Sequence, residues 1–388
     1  MYNIFKVNEN GDKISIATLL ACAYFICMPL SVVPLPGDIS LLKAISMFAG
    51  GGLIVLLFFG KNQLRLNIVH LFLALYVVYS IGSLFLLRDE NAWVNLRGIL
   101  ETSVLLFLIS SRIYNRREKN IIINSWILVG VITVATMLLG SVELGASERM
   151  TLGIGGGNED PNQLCGYFFL PILACMNKIV SKNKFKTIYI VLILAMIYVA
   201  FTTGSRGGLL AIFTTILVYI FTAIKGIGNK FKIFVALILI ILIFFAVLYP
   251  LLPQSVTERM SIESVKEDKG SGRLDLWVVV YDAITASEES LVFGYGLGST
   301  TYFLQNSATH SAVAHNHWLQ IWCDQGFIGL MLFLAVIAFG ALRSYRNNKI
   351  VAISLFGMFV LSMSLTLYAG YKPFWNILMM SAMNYEEE

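Results

Sequence analysis

The stretch from His310 to His317 holds three of the chain's 4 histidines. Histidine is the side chain whose ordinary pKa suits proton transfer near neutral pH. His315 is the best-placed candidate for a general base, because it sits where a long polar segment gives way to an apolar run. Asn316 follows it and can cap the incoming helix or orient a substrate. His317 lies two residues on, about 200° round a helix, so the two imidazoles do not serve one substrate oxygen. His310 lies further back in the polar segment and is less constrained. Zinc binding is the other chemistry three histidines suggest, but no cysteine or acidic cluster accompanies them. No metal and no other cofactor is therefore expected.

Arginines supply the complementary chemistry. Thr202-Thr203-Gly204-Ser205-Arg206-Gly207-Gly208 joins two apolar runs through a tight turn, with Arg206 at the mouth of the second run. A fixed guanidinium beside the backbone N–H groups of a helix start suits a phosphate; the plainer reading is an arginine snorkelling at a helix end. Gly270-Ser271-Gly272-Arg273-Leu274-Asp275-Leu276-Trp277 repeats the arrangement, with Arg273 at another helix start. Two such arginines on one side of a membrane can clamp a diphosphate. Arg97 and Glu101 are one turn apart, which fits an i, i+4 ion pair; otherwise Arg97 helps hold an anionic headgroup as a weaker third cation. Asn158-Glu159-Asp160-Pro161-Asn162 reads as a capping turn, with Asp160 before a proline at the first helical position.

The elements that must position these groups are membrane helices. Of 388 residues 57% are hydrophobic and 13% charged, with a mean hydropathy of +0.75, against roughly 25% charged in a soluble domain. The apolar runs approach bilayer length and are separated by short polar breaks, as lipid demands of helices that satisfy their own backbone. About twelve spans are expected, near 14–33, 41–59, 68–87, 94–113, 121–139, 162–179, 187–203, 206–224, 233–249, 316–342, 351–368 and 373–383. No small-residue cleavage site follows the first run, which reads as a retained span. The fold class is thus an all-α polytopic bundle with one large, mostly helical external loop. Residues 1–249 carry nine spans, 250–315 the loop, and 316–388 the last three.

The connecting segments alternate in charge. Eighteen of the 28 lysines and arginines fall in one set of loops and eight in the other, so the basic set and both termini are expected in the cytoplasm. The net charge of +5 reflects this placement and gives no sign of nucleic-acid binding. Within the external loop, Leu274, Trp277, Val278, Tyr281 and Ile284 predict an amphipathic helix that lies on the membrane or covers a cavity. Phe293-Gly294-Tyr295-Gly296-Leu297-Gly298 is a glycine-spaced turn that resembles part of a dinucleotide fingerprint but lacks the strand before it and the helix after it, which argues against that reading. Gly326 and Gly329 are expected to let another helix approach closely. The 5 cysteines all lie in apolar runs, and their odd number argues against a disulfide framework.

In these residues the chain resembles the O-antigen polymerase and O-antigen ligase superfamily. The resemblance covers most of the chain and rests on Asp160-Pro161-Asn162, Gly204-Ser205-Arg206, and the Arg273 to Trp277 helix with Gly294-Tyr295-Gly296-Leu297-Gly298 after it. It is completed by His315-Asn316-His317-Trp318-Leu319-Gln320 followed by Gly326-Phe327-Ile328-Gly329-Leu330. One departure is Ser290-Leu291-Val292, where a proline is expected. The resemblance implies a metal-independent glycosyltransferase of the plasma (inner) membrane that faces the exterior or periplasm. Its donor is a glycan on undecaprenyl diphosphate, and its acceptor is a sugar hydroxyl on another glycan or a glycolipid. Arg206, Arg273 and Arg97 are then the diphosphate ligands, His315 the catalytic base, and Asn316 and Asn162 substrate-orienting groups. A polymerase of O-antigen or capsule is favoured; the alternative is a ligase that transfers the glycan to lipid A core. Membrane lipids, chain-length regulators and flippases are the expected partners. A lipid-linked-oligosaccharide flippase is the competing class, but it would line a central cavity with charge, whereas here the polar residues concentrate at one face.

Overall fold

The computed structural model describes residues 14–31, 33–37, 39–59, 64–86, 90–143, 149–154, 157–181, 184–261, 272–307, 311, 313–367 and 370–386. His310, Gly270 and Ser271 lie outside the described residues. The protein is an all-α bundle with three two- or three-stranded β patches. Its helices in chain order are α1 (Ile16–Ile26), α2 (Leu41–Phe59), α3 (Ile68–Ser83), α4 (Glu90–Ser110), α5 (Arg116–Gly140), α6 (Pro161–Leu164), α7 (Phe169–Val180), α8 (Lys186–Thr202), α9 (Arg206–Ala223) and α10 (Ile227–Ile243). Among the described residues the next helices are α11 (Gln254–Arg259), α12 (Arg273–Ile284), α13 (Glu288–Phe293) and α14 (Ser299–Gln305). The chain closes with α15 (His317–Asn347), α16 (Lys349–Ser362) and α17 (Lys372–Ala382).

Among the described residues, six segments are long and apolar enough to cross a membrane: Leu41–Phe59, Ala92–Ser110, Arg116–Gly140, Pro161–Val180, Arg206–Ala223 and His317–Asn347. Four shorter apolar helices, α1, α3, α8 and α16, accompany them. Each predicted span thus meets a helix, and six of them reach crossing length. All five cysteines are free.

Segments from three loops of the basic set meet at the C-terminal strand. Ile113–Tyr114 pairs in parallel with Asn384–Tyr385. The Asn384 amide donates to the carbonyls of Arg65 (2.6 Å) and Ser110 (2.9 Å), while Arg343 donates to its Oδ1 (2.6 Å).

The described part of the large loop is helical and has a small core of its own. Leu276, Val280 and Ile284 of α12 bury against Leu304, Ala314 and Cys323. The predicted apolar face of α12 divides between this core and the surface. Trp277 and Ile284 point inward, but Leu274, Val278 and Tyr281 are 55%, 57% and 53% exposed. The helix is apolar on two faces, and the stripe spaced i, i+4, i+8 is the one that found partners.

The loop docks onto α15 through glycine. At Gly326 (φ 63°) α15 breaks, and the end of α13 packs into the break. A Cβ on Gly294 would stand 2.4 Å from the Gly326 nitrogen, and one on Gly326 2.3 Å from the Val292 oxygen. Tyr295 and Gly296 then donate their N–H groups to the carbonyls of Cys323 (3.0 Å) and Asp324 (2.7 Å), two of those the break leaves without helical partners. The buried Asp324 carboxylate accepts from the N–H groups of Gly298 and Thr300 and from the hydroxyls of Ser299 and Thr300, which caps α14. Gly329 faces Tyr79 of α3. Both expected close approaches are therefore present, and the glycine-spaced turn is a docking device.

Candidate functional site

The turn Thr203-Gly204-Ser205 between α8 and α9 is the floor of the site. Its glycine takes a left-handed φ of 61°, and the Ser205 hydroxyl caps α9 by accepting from the Gly208 N–H (3.2 Å). Two arginines hold the turn from outside. Arg149 Nε donates to the Thr203 carbonyl (2.7 Å), and Arg259 Nε to the Gly204 carbonyl (3.1 Å). A Cβ on Gly204 would lie 3.4 Å from Arg149 Nε and 3.5 Å from Arg259 Cδ, so the two cations flank the glycine.

Arg149 also ties the turn to the start of α6. Its Nη2 donates to Asn162 Oδ1 (2.9 Å). Asn162 is aimed by Asp160, whose Oδ1 accepts from the Asn162 backbone N–H (2.7 Å) and side-chain amide (2.8 Å). This is the predicted capping turn, with Pro161 at the first helical position. Glu159 beside it receives the Tyr167 hydroxyl on its two oxygens (2.9 and 3.0 Å). Desolvation, with the neighbouring Asp160 charge adding to it, pushes Glu159 up to about 7.

Arg273 and His315 come from the large loop. Arg273 opens α12 behind the left-handed Gly272. One turn on, Trp277 Nε1 donates to the carbonyl of Ala314 (3.0 Å), so α12 anchors the residue before His315. His315 has a φ of 50°, a left-handed conformation uncommon outside glycine. Its Nδ1 is buried without a protein partner. Asn316 Oδ1 accepts from the N–H groups of Trp318 (3.1 Å) and Leu319 (3.2 Å) and so caps α15, the first of its two expected roles. Burial, then the Arg273 cation, hold His315 below the usual histidine range, against the pull of Asp160. Burial and the Arg259 cation lower Arg149, with Arg273 adding and Asp160 opposing. Arg149, Arg259, Arg273, His315 and Asp160 thus share one electrostatic neighbourhood, which favours the neutral form of His315.

Of the sequence-predicted residues, Arg273 and His315 meet here, Asn162 joins through Arg149, and Arg206 begins α9 directly after the floor turn. Arg97 pairs with Glu101 (Nε to Oε1 2.8 Å) and faces a cavity on the other side of the Glu159–Gln163 turn. His317 points elsewhere, its ring set edge-on against Phe333 and Phe374. Sequence reasoning missed Arg149 and Arg259. The signal was present, because both fall in the loop set that is poor in basic residues, where an arginine needs a reason.

This site lies partly within a recognisable domain: residues 191–334 match the family model described as O-antigen ligase. These residues are similar to an O-antigen ligase domain. The matched segment contains the floor turn, α12, the glycine docking and the His315 loop, and it bears out the resemblance to the ligase and polymerase superfamily. The chain is also similar to the teichuronic acid biosynthesis protein TuaE of Bacillus subtilis (strain 168), at 23% identity over 302 residues. That match takes in 72% of this chain and 61% of the relative, so the chain spans less than two thirds of the relative's length. Its several long apolar helices are those of a multi-pass membrane protein.

Proposed function

We propose that the protein transfers a glycan from undecaprenyl diphosphate to a sugar hydroxyl at the outer face of the plasma (inner) membrane. Arg149 and Arg259 on the floor turn, with Arg273 close enough to act on both Arg149 and His315, carry this reading. A departing diphosphate develops negative charge, which fixed guanidinium groups stabilise. The acceptor oxygen bonds to the anomeric carbon as the carbon–oxygen bond to the diphosphate breaks. The acceptor's proton passes to the His315 imidazole, and lipid diphosphate leaves. In this scheme Arg206 and Arg273 contact the diphosphate, while Arg149 and Arg259 hold the floor turn and add positive potential. Asn162 and the amide nitrogen of Asn316 orient substrate. The scheme uses no metal; among the described residues no group of three or more His, Cys, Asp or Glu is placed to hold one.

The reading extends to topology: 250–315 outside, both termini in the cytoplasm, and nine spans before the loop. A polymerase, with a second lipid-linked glycan as acceptor, is favoured by the relative's role in teichuronic acid biosynthesis. The ligase reading is kept open by the family model's description. The surface-glycan profile of a deletion strain tests both. Single repeat units in place of a polymer support the polymerase, and finished polymer left on its lipid carrier supports the ligase. An unchanged profile overturns the proposal.

A further inference from the structure

A cavity of about 820 Å³ opens between α2 and α4, walled at one end by Glu159, Gln163 and Tyr167 and by Tyr371 and Lys372. At that end the lining is polar, with Lys43, Lys372 and the Arg97–Glu101 pair. Further along α2 and α4 it is apolar, with Met47, Ile54, Val104 and Leu108. From Lys43 to Ile54 the helical rise is roughly 16 Å, about the hydrocarbon depth of one leaflet. Both walls are helices of membrane-crossing length.

The glycines of α2 set this cavity apart from an ordinary packing gap. A Cβ on Gly52 would meet Leu20 Cδ1 at 2.9 Å, and one on Gly50 would meet Leu105 Cδ2 at 3.5 Å. Those two glycines stand against neighbouring side chains. Gly51 also lines the cavity, and a Cβ there would find nothing within 4 Å. A glycine inside a helix is destabilising relative to alanine, and among the described residues no protein neighbour demands this one. What Gly51 contributes is room in a slot as deep as one leaflet, with cations at its mouth.

From this we infer that the slot between α2 and α4 seats the hydrocarbon chain of a polyprenyl phosphate lipid, with Lys43 and Lys372 at the mouth through which its phosphate end leaves toward the arginine site. The inference rests on the proposed function, since the Glu159–Gln163 turn is shared between slot and arginine cluster. Glu159 and Gln163 face the slot, while Asp160 and Asn162 engage Arg149. A chain in the slot therefore brings its headgroup to the wall of the arginine site, and this continuity favours the carrier lipid over a bulk phospholipid.

The test uses full-length protein in nanodiscs and undecaprenyl phosphate, a probe without sugar. Wild type and Gly51→Ala should retain the lipid against excess phosphatidylglycerol, and Gly51→Phe should weaken retention at least tenfold at an unchanged melting temperature. Retention by a folded Gly51→Phe protein at the wild-type level, or equal displacement by phosphatidylglycerol, overturns the assignment. A photoreactive polyprenyl phosphate on the unaltered chain covers the case in which Gly51→Phe fails to fold. Crosslinks should fall on α2 and α4 near Gly51 and Val104, and crosslinks confined to other helices overturn it. The two proposals fail separately. Lipid held at Gly51 without transfer sinks the transferase, while full transfer by Gly51→Phe sinks the slot.

Discussion

At the scale of single residues, the proposed chemistry needs an unprotonated histidine beside a cation. Arg273 and burial both oppose protonation of His315, so its pKa lies below the usual 6.5. A base works only when unprotonated. The rate should therefore be flat around pH 7 and fall only as pH drops through a value below 6.5, a limb that kcat/KM profiles would reveal and that His315→Ala should lack. An acid limb centred above 7 contradicts the assignment. Removal of a general base typically costs about 10²–10⁴-fold in rate; His315→Ala should lose that much while still binding donor, and His317→Ala, set among Phe333 and Phe374, should lose less. Arg149 makes a forked contact, one nitrogen to Thr203 and another to Asn162. Arg149→Lys keeps the charge but not the fork, so steady-state assays should show it nearly as impaired as Arg149→Ala. Wild-type rates for Arg149→Lys would mean that charge alone suffices there.

At the scale of elements, the large loop is positioned by backbone contact. Gly294 and Gly326 meet closer than any Cβ allows, and both take left-handed φ values of 75° and 63°. Gly326→Ala should therefore destabilise the protein by about 2–4 kcal/mol, read as a lower melting temperature and lost activity, whereas Gly51→Ala should do neither. Much of this was legible in the sequence. Hydropathy located the helices within a few residues, and the glycines at 326 and 329 announced close approach. The Asp160 and Asn316 caps follow from residue type before a helix start. The docking partner of Gly326 was not legible, because a turn thirty residues upstream gives no local sign of where it lands. Nor was the buried face of α12: Arg273–Ile284 carries two apolar stripes, and only the tertiary partners Leu304, Ala314 and Cys323 decide between them. Arg149 and Arg259 were visible only as charges out of place, since their hydrogen bonds to the floor turn span 54 and 55 residues of sequence.

At the scale of the whole molecule, loops of each charge set contact one another. Arg65, Arg112 and Arg343 meet around the Asn384 strand, and Arg149, Arg259 and Arg273 meet around the floor turn. The proposed topology follows if the first group is cytoplasmic. An impermeant thiol reagent added to whole cells or spheroplasts should label Asp282→Cys and spare Lys184→Cys; the reverse pattern would turn the molecule over and remove the site from its proposed leaflet. The central claim is transfer from a lipid diphosphate by the arginine and histidine end. Its most direct measurement is the release of undecaprenyl diphosphate, coupled to glycan growth, by purified protein in proteoliposomes supplied with lipid-linked oligosaccharide and a chelator. Wild type should turn over, Arg273→Ala and Arg206→Ala should fall by about 10²-fold or more, and His315→Ala should hold donor without releasing its lipid. Wild-type turnover in the folded Arg273→Ala and His315→Ala proteins would contradict the account.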